Sequence, residues 1–271
     1  MTCSARQADA VSPIGDGPGG GNRRGTAVVT GAAGGIGLAT AARLATDGHQ
    51  VWGLDLERGR TRFIEALGPA GARFVAVDVT DERQVHDAVQ RAGEGEDLTA
   101  VVACAGISGP LARMHLQQAA DVRRVFDINL FGVWHTLSAA IPVLSAGSGG
   151  SIVVVASVAG LGASPGLGGY GASKAAVLSL VRSAAIENAR AGVRINAVCP
   201  GPVDTAMVVE LEAARGGGDL EHGRRQIQKS IPMGRYATPE QVAGAVAYLV
   251  ADGSGFVTGT VLPVDGGMRA L

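Results

Sequence analysis

From Thr26 onward the chain carries short runs of β-branched and small apolar residues that do not alternate with polar ones. They are Ala27–Thr30, Val51–Leu54, Phe74–Val77, Ala100–Ala103, Ser151–Val155, Arg194–Val198 and Thr260–Val264. Strands covered by helices on both faces need this near-continuous apolar character, so the pattern predicts seven buried strands. Between them, helical periodicity runs over roughly 36–48, 81–92, 117–145, 172–191 and 239–252. Regular strand–helix alternation predicts one α/β domain built on a doubly wound parallel sheet with right-handed crossovers. The stretch from about 205 to 230 breaks this rhythm, with Gly216-Gly217-Gly218 set among charged residues. It is expected to be a mobile helical insertion over the strand ends, where a substrate loop would sit. Residues 1–24 are rich in Gly, Ser and Pro and cannot bury enough apolar surface to offset their ordering entropy, so they are expected to form a mobile tail ahead of a catalytic domain over 25–271.

Composition narrows the chemistry. A length of 271 residues suits one large α/β domain. Apolar residues make up 46% but aromatics only 4%, so the core must be built from Ala, Val, Leu and Ile. With 23 basic against 24 acidic residues, no broad field draws in nucleic acid or an anionic membrane, which leaves a small molecule as the expected partner. Cys3, Cys104 and Cys199 are odd in number and far apart, and the five histidines show no ligand spacing, so neither a disulfide framework nor a metal site is expected. The N-terminus lacks the apolar run of a signal peptide, and no run approaches the roughly 18 consecutive apolar residues of a membrane helix; a cytoplasmic protein is expected.

The first strand leads into Thr30-Gly31-Ala32-Ala33-Gly34-Gly35-Ile36-Gly37 and then a helix. Glycines at this junction let the backbone turn tightly and approach a pyrophosphate, which the helix N-terminus favours; a plain tight turn is the competing reading. This places a dinucleotide over a Rossmann-type sheet. The second strand ends at Asp55-Leu56, where a carboxylate can accept from a ribose diol and would repel a 2′-phosphate. NAD is therefore expected over NADP, although Arg58 and Arg60 lie close by and Asp55 could simply cap the next helix.

Tyr170-Gly171-Ala172-Ser173-Lys174 is the most informative segment. On a helix, Tyr170 and Lys174 share a face. A phenol titrates near about 10, and a cation about 5 Å away at an effective dielectric of about 20 is worth roughly 3 kcal/mol, or about 2 pKa units towards phenolate. Tyr170 could then exchange a proton with an alcohol or ketone oxygen. Ser157, just past the fifth strand, lies at the carboxyl edge of the sheet and could steady charge on that oxygen, or could merely cap a turn.

With these residues in order, the chain from Thr26 to Gly267 resembles the short-chain dehydrogenase/reductase family in its short, single-domain form. The motifs behind the resemblance are the glycine loop, Asp78-Val79, Ala103-Cys104-Ala105-Gly106, Asn129 in Asp127-Ile128-Asn129-Leu130-Phe131-Gly132, Ser157, Tyr170-x-x-x-Lys174, Pro200-Gly201-Pro202-Val203-Asp204-Thr205 and Val264-Asp265-Gly266-Gly267. The resemblance implies hydride transfer between NAD(P) and a secondary alcohol or ketone, without a metal. It implies a catalytic set of Asn129, Ser157, Tyr170 and Lys174, with Tyr170 the general acid/base, Lys174 lowering its pKa and holding the nicotinamide ribose, and Asn129 binding a water through a distortion of its helix. It also implies cofactor contacts from Gly31, Gly34, Gly35, Ile36, Gly37, Asp55, Leu56, Asp78, Val79, Ala105, Gly106, Pro200, Gly201, Val203 and Thr205, and a homotetramer or homodimer. Ala103 and Cys104 stand where the family has two asparagines, which removes side-chain hydrogen bonds expected there; Cys104 then reads as a small buried hydrophobe.

Beside Ser157 and Tyr170, the expected substrate walls are Ile107, Leu161, Leu167, Met207, Val208 and Leu211. These are apolar and lean towards a neutral substrate, unless Arg215, Arg224, Arg225 or Lys229 folds over the site. The alternative to an enzyme is a dinucleotide-binding sensor or scaffold, which would show gaps in the catalytic set; all four positions are filled. An epimerase or dehydratase of the longer related architecture would carry an added C-terminal domain.

Overall fold

The computed structural model describes residues 24–68, 72–94 and 97–270. Seven parallel strands form one sheet: β1 (Thr26–Thr30), β2 (Gln50–Asp55), β3 (Ala72–Ala76), β4 (Leu98–Ala103), β5 (Gly150–Val155), β6 (Val193–Pro200) and β7 (Val261–Val264), in the order β3-β2-β1-β4-β5-β6-β7. Each of the seven predicted runs is a strand, and the doubly wound sheet is as the pattern requires. The order reverses beside β1, which opens a crevice at the carboxyl ends of β1 and β4, the position where such sheets take ligands.

Helices cover both faces. On one side α1 (Gly35–Thr46) packs against the last helix, α9 (Pro239–Val250), over Val29, Val102, Val153 and Val198. On the other, α3 (Glu82–Gly93), α5 (Gly132–Ala146) and α6 (Gly168–Asn188) cover Val28, Val101, Ile152 and Ile195. The packing follows from residue spacing: α3 buries Val85, Ala88, Val89 and Ala92, an i, i+3, i+4, i+7 stripe. Its start is fixed by Asp81, which accepts from the Gln84 amide at 3.1 Å, a cap worth about 1 kcal/mol. Thr238 and Gln241 form a reciprocal capping box on α9, with Pro239 at its first turn.

Three features depart from the sequence pattern. A short helix, α2 (Arg60–Leu67), lies between β2 and β3 where none is expected. Only Phe63 is buried on it, so its periodic signal is one residue deep. The predicted 117–145 helix is α4 (Ala119–Phe126) continuing through a π turn (Asp127–Phe131) into α5. This 28-residue helix Ala119–Ala146 is long and apolar enough, by length and composition, to cross a membrane; its Val133, Leu137, Ala140 and Leu144 are buried in the core beside the sheet. The insertion resolves into two helices, α7 (Ala206–Arg215) and α8 (Leu220–Lys229), packed around Val208, Ile227, Ile231 and Tyr236. Residues 1–23 of the expected tail lie outside the described residues.

Candidate active site

The carboxyl ends of β1 and β4 open into a crevice of about 1380 Å³. Its floor is the glycine loop. Gly31 sits at φ +65, left-handed backbone that a side chain would strain. A Cβ on Gly37 would collide with the Gly31 carbonyl, so the first turn of α1 closes on the loop only with glycine there. Gly34, Gly35, Ile36 and Gly37 all line the crevice, and Thr205 closes over Gly35 from the opposite wall.

At one end, the Asp55 carboxylate accepts from the Ala33 amide at 2.8 Å and from the Leu56 amide at 2.7 Å. Asp55 is therefore tied to the glycine loop rather than free as a cap. Arg60 is paired with Glu57 at 2.7 Å, while Arg58 and Arg62 turn to the crevice beside Asp55. Arg62 was not among the sequence candidates, because nothing local marks the short helix that turns it to the crevice. Asp78 and Val79 also line this end, together with Arg124 and His135, whose Nδ1 lies 2.9 Å from the Val79 carbonyl oxygen.

The Thr30 hydroxyl holds the turn after β4. It accepts from the amides of Cys104 and Ala105 at 3.1 and 3.3 Å, fixing the chain past β4 from the neighbouring strand. Cys104 is half-buried rather than fully buried and lines the crevice; its thiol is pushed up to about 12 by loss of solvation, so it stays protonated and unreactive.

At the other end the structure brings Asn129, Ser157, Tyr170 and Lys174 together. Tyr170 and Lys174 lie on successive turns of α6, with the Lys174 Nζ 5.9 Å from the centre of the Tyr170 ring. Lys174 is buried and donates to the Val155 carbonyl at 2.9 Å. Ser157 lies in the turn after β5, and its hydroxyl accepts from the Ala159 amide at 3.1 Å. Asn129 sits in the π turn, the helix distortion expected there. Its Oδ1 accepts from the Ile107 amide at 2.9 Å, and its Nδ2 donates to the Ile107 carbonyl at 2.9 Å and to the Ser173 hydroxyl at 3.2 Å. Gly106 has no room for a Cβ without crowding Asn129 Oδ1 and Lys174 Nζ, at 3.1 and 3.4 Å.

The electrostatics correct one expectation. Burial pushes the Tyr170 phenol above its ordinary range, and the Ser157 hydrogen bond offsets this only in part. Burial likewise brings Lys174 down, to about 8. In the protein alone, loss of hydration is the largest influence on both groups.

The remaining expected contacts divide. Pro200, Thr205, Ala105, Gly106, Ile107 and Met207 line the crevice. Gly201 packs on Asp265 and Val203 is buried, its backbone bridging to Ala237, so neither lines it. Leu167 lines a smaller chamber of about 200 Å³ that adjoins Tyr170, with Pro110, Ala112, Leu116, Gln117, Asp121, Val122 and Val125. Leu161 lines neither; it packs against the core and its carbonyl accepts from Arg269 at 2.9 Å. Val208 and Leu211 belong to the core of the α7–α8 pair. None of Arg215, Arg224, Arg225 and Lys229 reaches either space; Arg224 lies 3.5 Å from Asp204 and Arg225 lies 3.0 Å from Glu221.

This site and this sheet are those of a nucleotide-dependent oxidoreductase, and comparison with known proteins agrees. The profile of the family described as Enoyl-(Acyl carrier protein) reductase matches residues 31–269. The cis-4-hydroxycyclohexanecarboxylate dehydrogenase of Sinomonas cyclohexanicum is 43% identical over 248 residues, covering 90% of this chain and 96% of its own. The ligand-free aldohexose dehydrogenase of Thermoplasma acidophilum superposes with a TM-score of 0.82 at 32% identity, over 92% of this chain and 95% of that one. The structure of ElxO with NADP bound superposes at 0.83 with 28% identity, over 91% and 99%. The chain belongs to the short-chain dehydrogenase/reductase family, and is an oxidoreductase acting on CH–OH groups.

Proposed function

We propose that this protein interconverts a secondary alcohol and its ketone, with NAD preferred as hydride carrier and Tyr170 as the general acid/base. The observation that carries the reading is that Tyr170 lines both the crevice and the smaller chamber, with Lys174 one turn further along α6 lining the crevice, Ser157 in the turn next to crevice-lining Ala156, and Asn129 hydrogen-bonded to the adjoining Ser173. The residues present fit a dinucleotide: glycines that admit no side chain at the pyrophosphate end, Asp55 at the ribose end, and Gly106 and Lys174 towards the nicotinamide end. When bound, the nicotinamide takes or gives the hydride and, in its oxidised form, sets a positive charge beside the phenol.

The chain's own residues do the rest. Ser157 holds the substrate oxygen and the Tyr170 hydroxyl in one hydrogen-bonded set. Tyr170 takes the alcohol proton, or returns it to the ketone oxygen. Lys174, anchored on the Val155 carbonyl, holds the ribose and passes protons outward, and Asn129 supports a water beside it. Asp55 favours an unphosphorylated ribose because its carboxylate would face a 2′-phosphate. The chamber beyond Tyr170 is mainly apolar, holds Asp121 and has no basic side chain, which suits a compact neutral substrate and opposes a carboxylate. The same reading makes the protein a cytoplasmic homotetramer, an assembly that would cover exposed Trp134, Ile186 and Phe256.

The test is Tyr170→Phe, assayed on a panel of secondary alcohols and ketones through the absorbance of reduced nicotinamide. Turnover should fall at least about a thousandfold while NADH affinity stays within a few-fold. A variant with near wild-type kcat would overturn the acid/base role.

A further inference from the structure

The helix that presents Tyr170 starts badly. Its first residues are Gly168-Gly169-Tyr170-Gly171, and its N-cap, Leu167, offers no side-chain hydrogen bond. Glycines in a first turn carry a large backbone entropy, and uncapped amides add nothing to hold them. Something outside the helix must fix the residue on which the chemistry depends.

We propose that Gln117 is that positioning residue: from the loop ahead of α4, its one side-chain amide pins both the first turn of α6 and the wall of the substrate chamber. The proposal rests on the reading of Tyr170 above. Gln117 Oε1 accepts from the Gly169 amide, adjacent to Tyr170, at 3.1 Å. Its Nε2 donates to the Ala112 carbonyl at 3.0 Å and the Gly166 carbonyl at 3.1 Å. An acceptor facing an N–H and a donor facing two carbonyls leave only one orientation for the amide. The two loops it joins also pair directly, with the Ala112 amide donating to the Gly166 carbonyl at 3.0 Å and a parallel bridge between Ala112 and Leu167. Gln117, Leu167, Gly169 and Tyr170 all line the chamber of about 200 Å³, whereas Gln117 has no place in the dinucleotide crevice.

The acceptor and donor halves of the amide therefore do different work. The bond to Gly169 sets where the phenol stands. The bonds to Ala112 and Gly166 set how far apart the chamber walls stand. Small misplacements of reacting groups can cost on the order of a hundredfold in rate, so loss of the first bond should appear in kcat.

Two variants separate the roles. Gln117→Leu keeps the bulk and removes all three bonds; kcat should fall roughly ten- to a hundredfold, with NADH affinity within about twofold of wild type. Gln117→Glu keeps the acceptor for Gly169 but sets a carboxylate against two carbonyls. It should recover kcat to within about threefold of wild type while KM rises about tenfold or more. Parallel losses in kcat for both variants, or a Gln117→Leu enzyme with wild-type kcat, would overturn the proposal. If Gln117→Leu does not fold, the kcat and KM of Gln117→Glu decide alone. Tyr170→Phe measured alongside tells the two failures apart: an active Tyr170→Phe sinks the acid/base reading itself, while an inactive one beside an unaffected Gln117→Leu sinks only the role of Gln117.

Discussion

The two ends of the crevice are built differently. The end we assign to the dinucleotide is made largely of main chain: the glycine loop after β1, the turn after β4 held by Thr30, and Asp55 tied back to Ala33. Its geometry is set by what is absent, namely side chains at Gly31, Gly37 and Gly106. The end we assign to the substrate, with its adjoining chamber, is made of side chains reaching across from distant loops: Asn129 to Ile107, Lys174 to Val155, and Gln117 to Gly166 and Gly169. The first kind of site tolerates no added atom but needs little specific chemistry. The second kind can be reshaped by changing one side chain, which lets one scaffold serve many substrates.

This contrast breaks most severely at Gly37. Gly37→Ala would drive a methyl group into the Gly31 carbonyl, where backbone rather than a flexible side chain would have to move. We expect about 1–3 kcal/mol of lost stability by chemical denaturation and cofactor binding too weak to follow by NADH fluorescence titration. A variant that binds NADH like wild type would show that the loop is not a main-chain cradle.

At the substrate end the sharpest expected effect depends on pH. Lys174 is buried and brought down to about 8 by loss of hydration. Between about 8 and its unfolded value near 10.4 the unfolded chain binds more protons than the folded one, so this lysine makes stability rise with pH across that window. Below about 8 both states are protonated and its full destabilising effect is present. Lys174→Met, which cannot ionise, should therefore gain on wild type at pH 7 relative to pH 10.5 by about 3 kcal/mol, while losing turnover. A stability difference that does not change with pH would mean that the ammonium is hydrated in the folded protein.

The same division explains what could be read from the chain before its fold was known. The five inner strands were legible because they are buried on both faces, the edge strands β3 and β7 through their short apolar runs, and the glycine loop because strand, turn and helix follow one another directly. Tyr170, Lys174 and Ser157 were legible through short spacings on α6 and a strand end. Helix α2 was not, since a single buried residue leaves no periodicity. Gln117 was not either, because it meets Gly166 and Gly169 across 49 and 52 residues, a pairing that no local pattern encodes. Leu161 has the composition of a pocket wall but packs against the core, and Val203, a cofactor contact by family resemblance, is buried as well; apolar character in a loop does not say which way the loop is turned.

The mildest perturbation tests where the two kinds of construction meet. Asp55 is a side chain doing the work of the main-chain end: one oxygen holds the glycine loop through Ala33, and the carboxylate as a whole sets the charge at the ribose corner. Asp55→Ala leaves the Ala33 amide without its partner, a loss that both cofactors feel alike. It also removes the negative charge from a corner that keeps Arg58 and Arg62, and only a 2′-phosphate gains from that. Binding measured by fluorescence with NADH and NADPH should show NADH weakened about tenfold and NADPH unchanged or tightened, a swing of at least about 1.4 kcal/mol between them. Equal losses for the two would mean that Asp55 serves the loop alone, and that the preference between cofactors is set by the arginines.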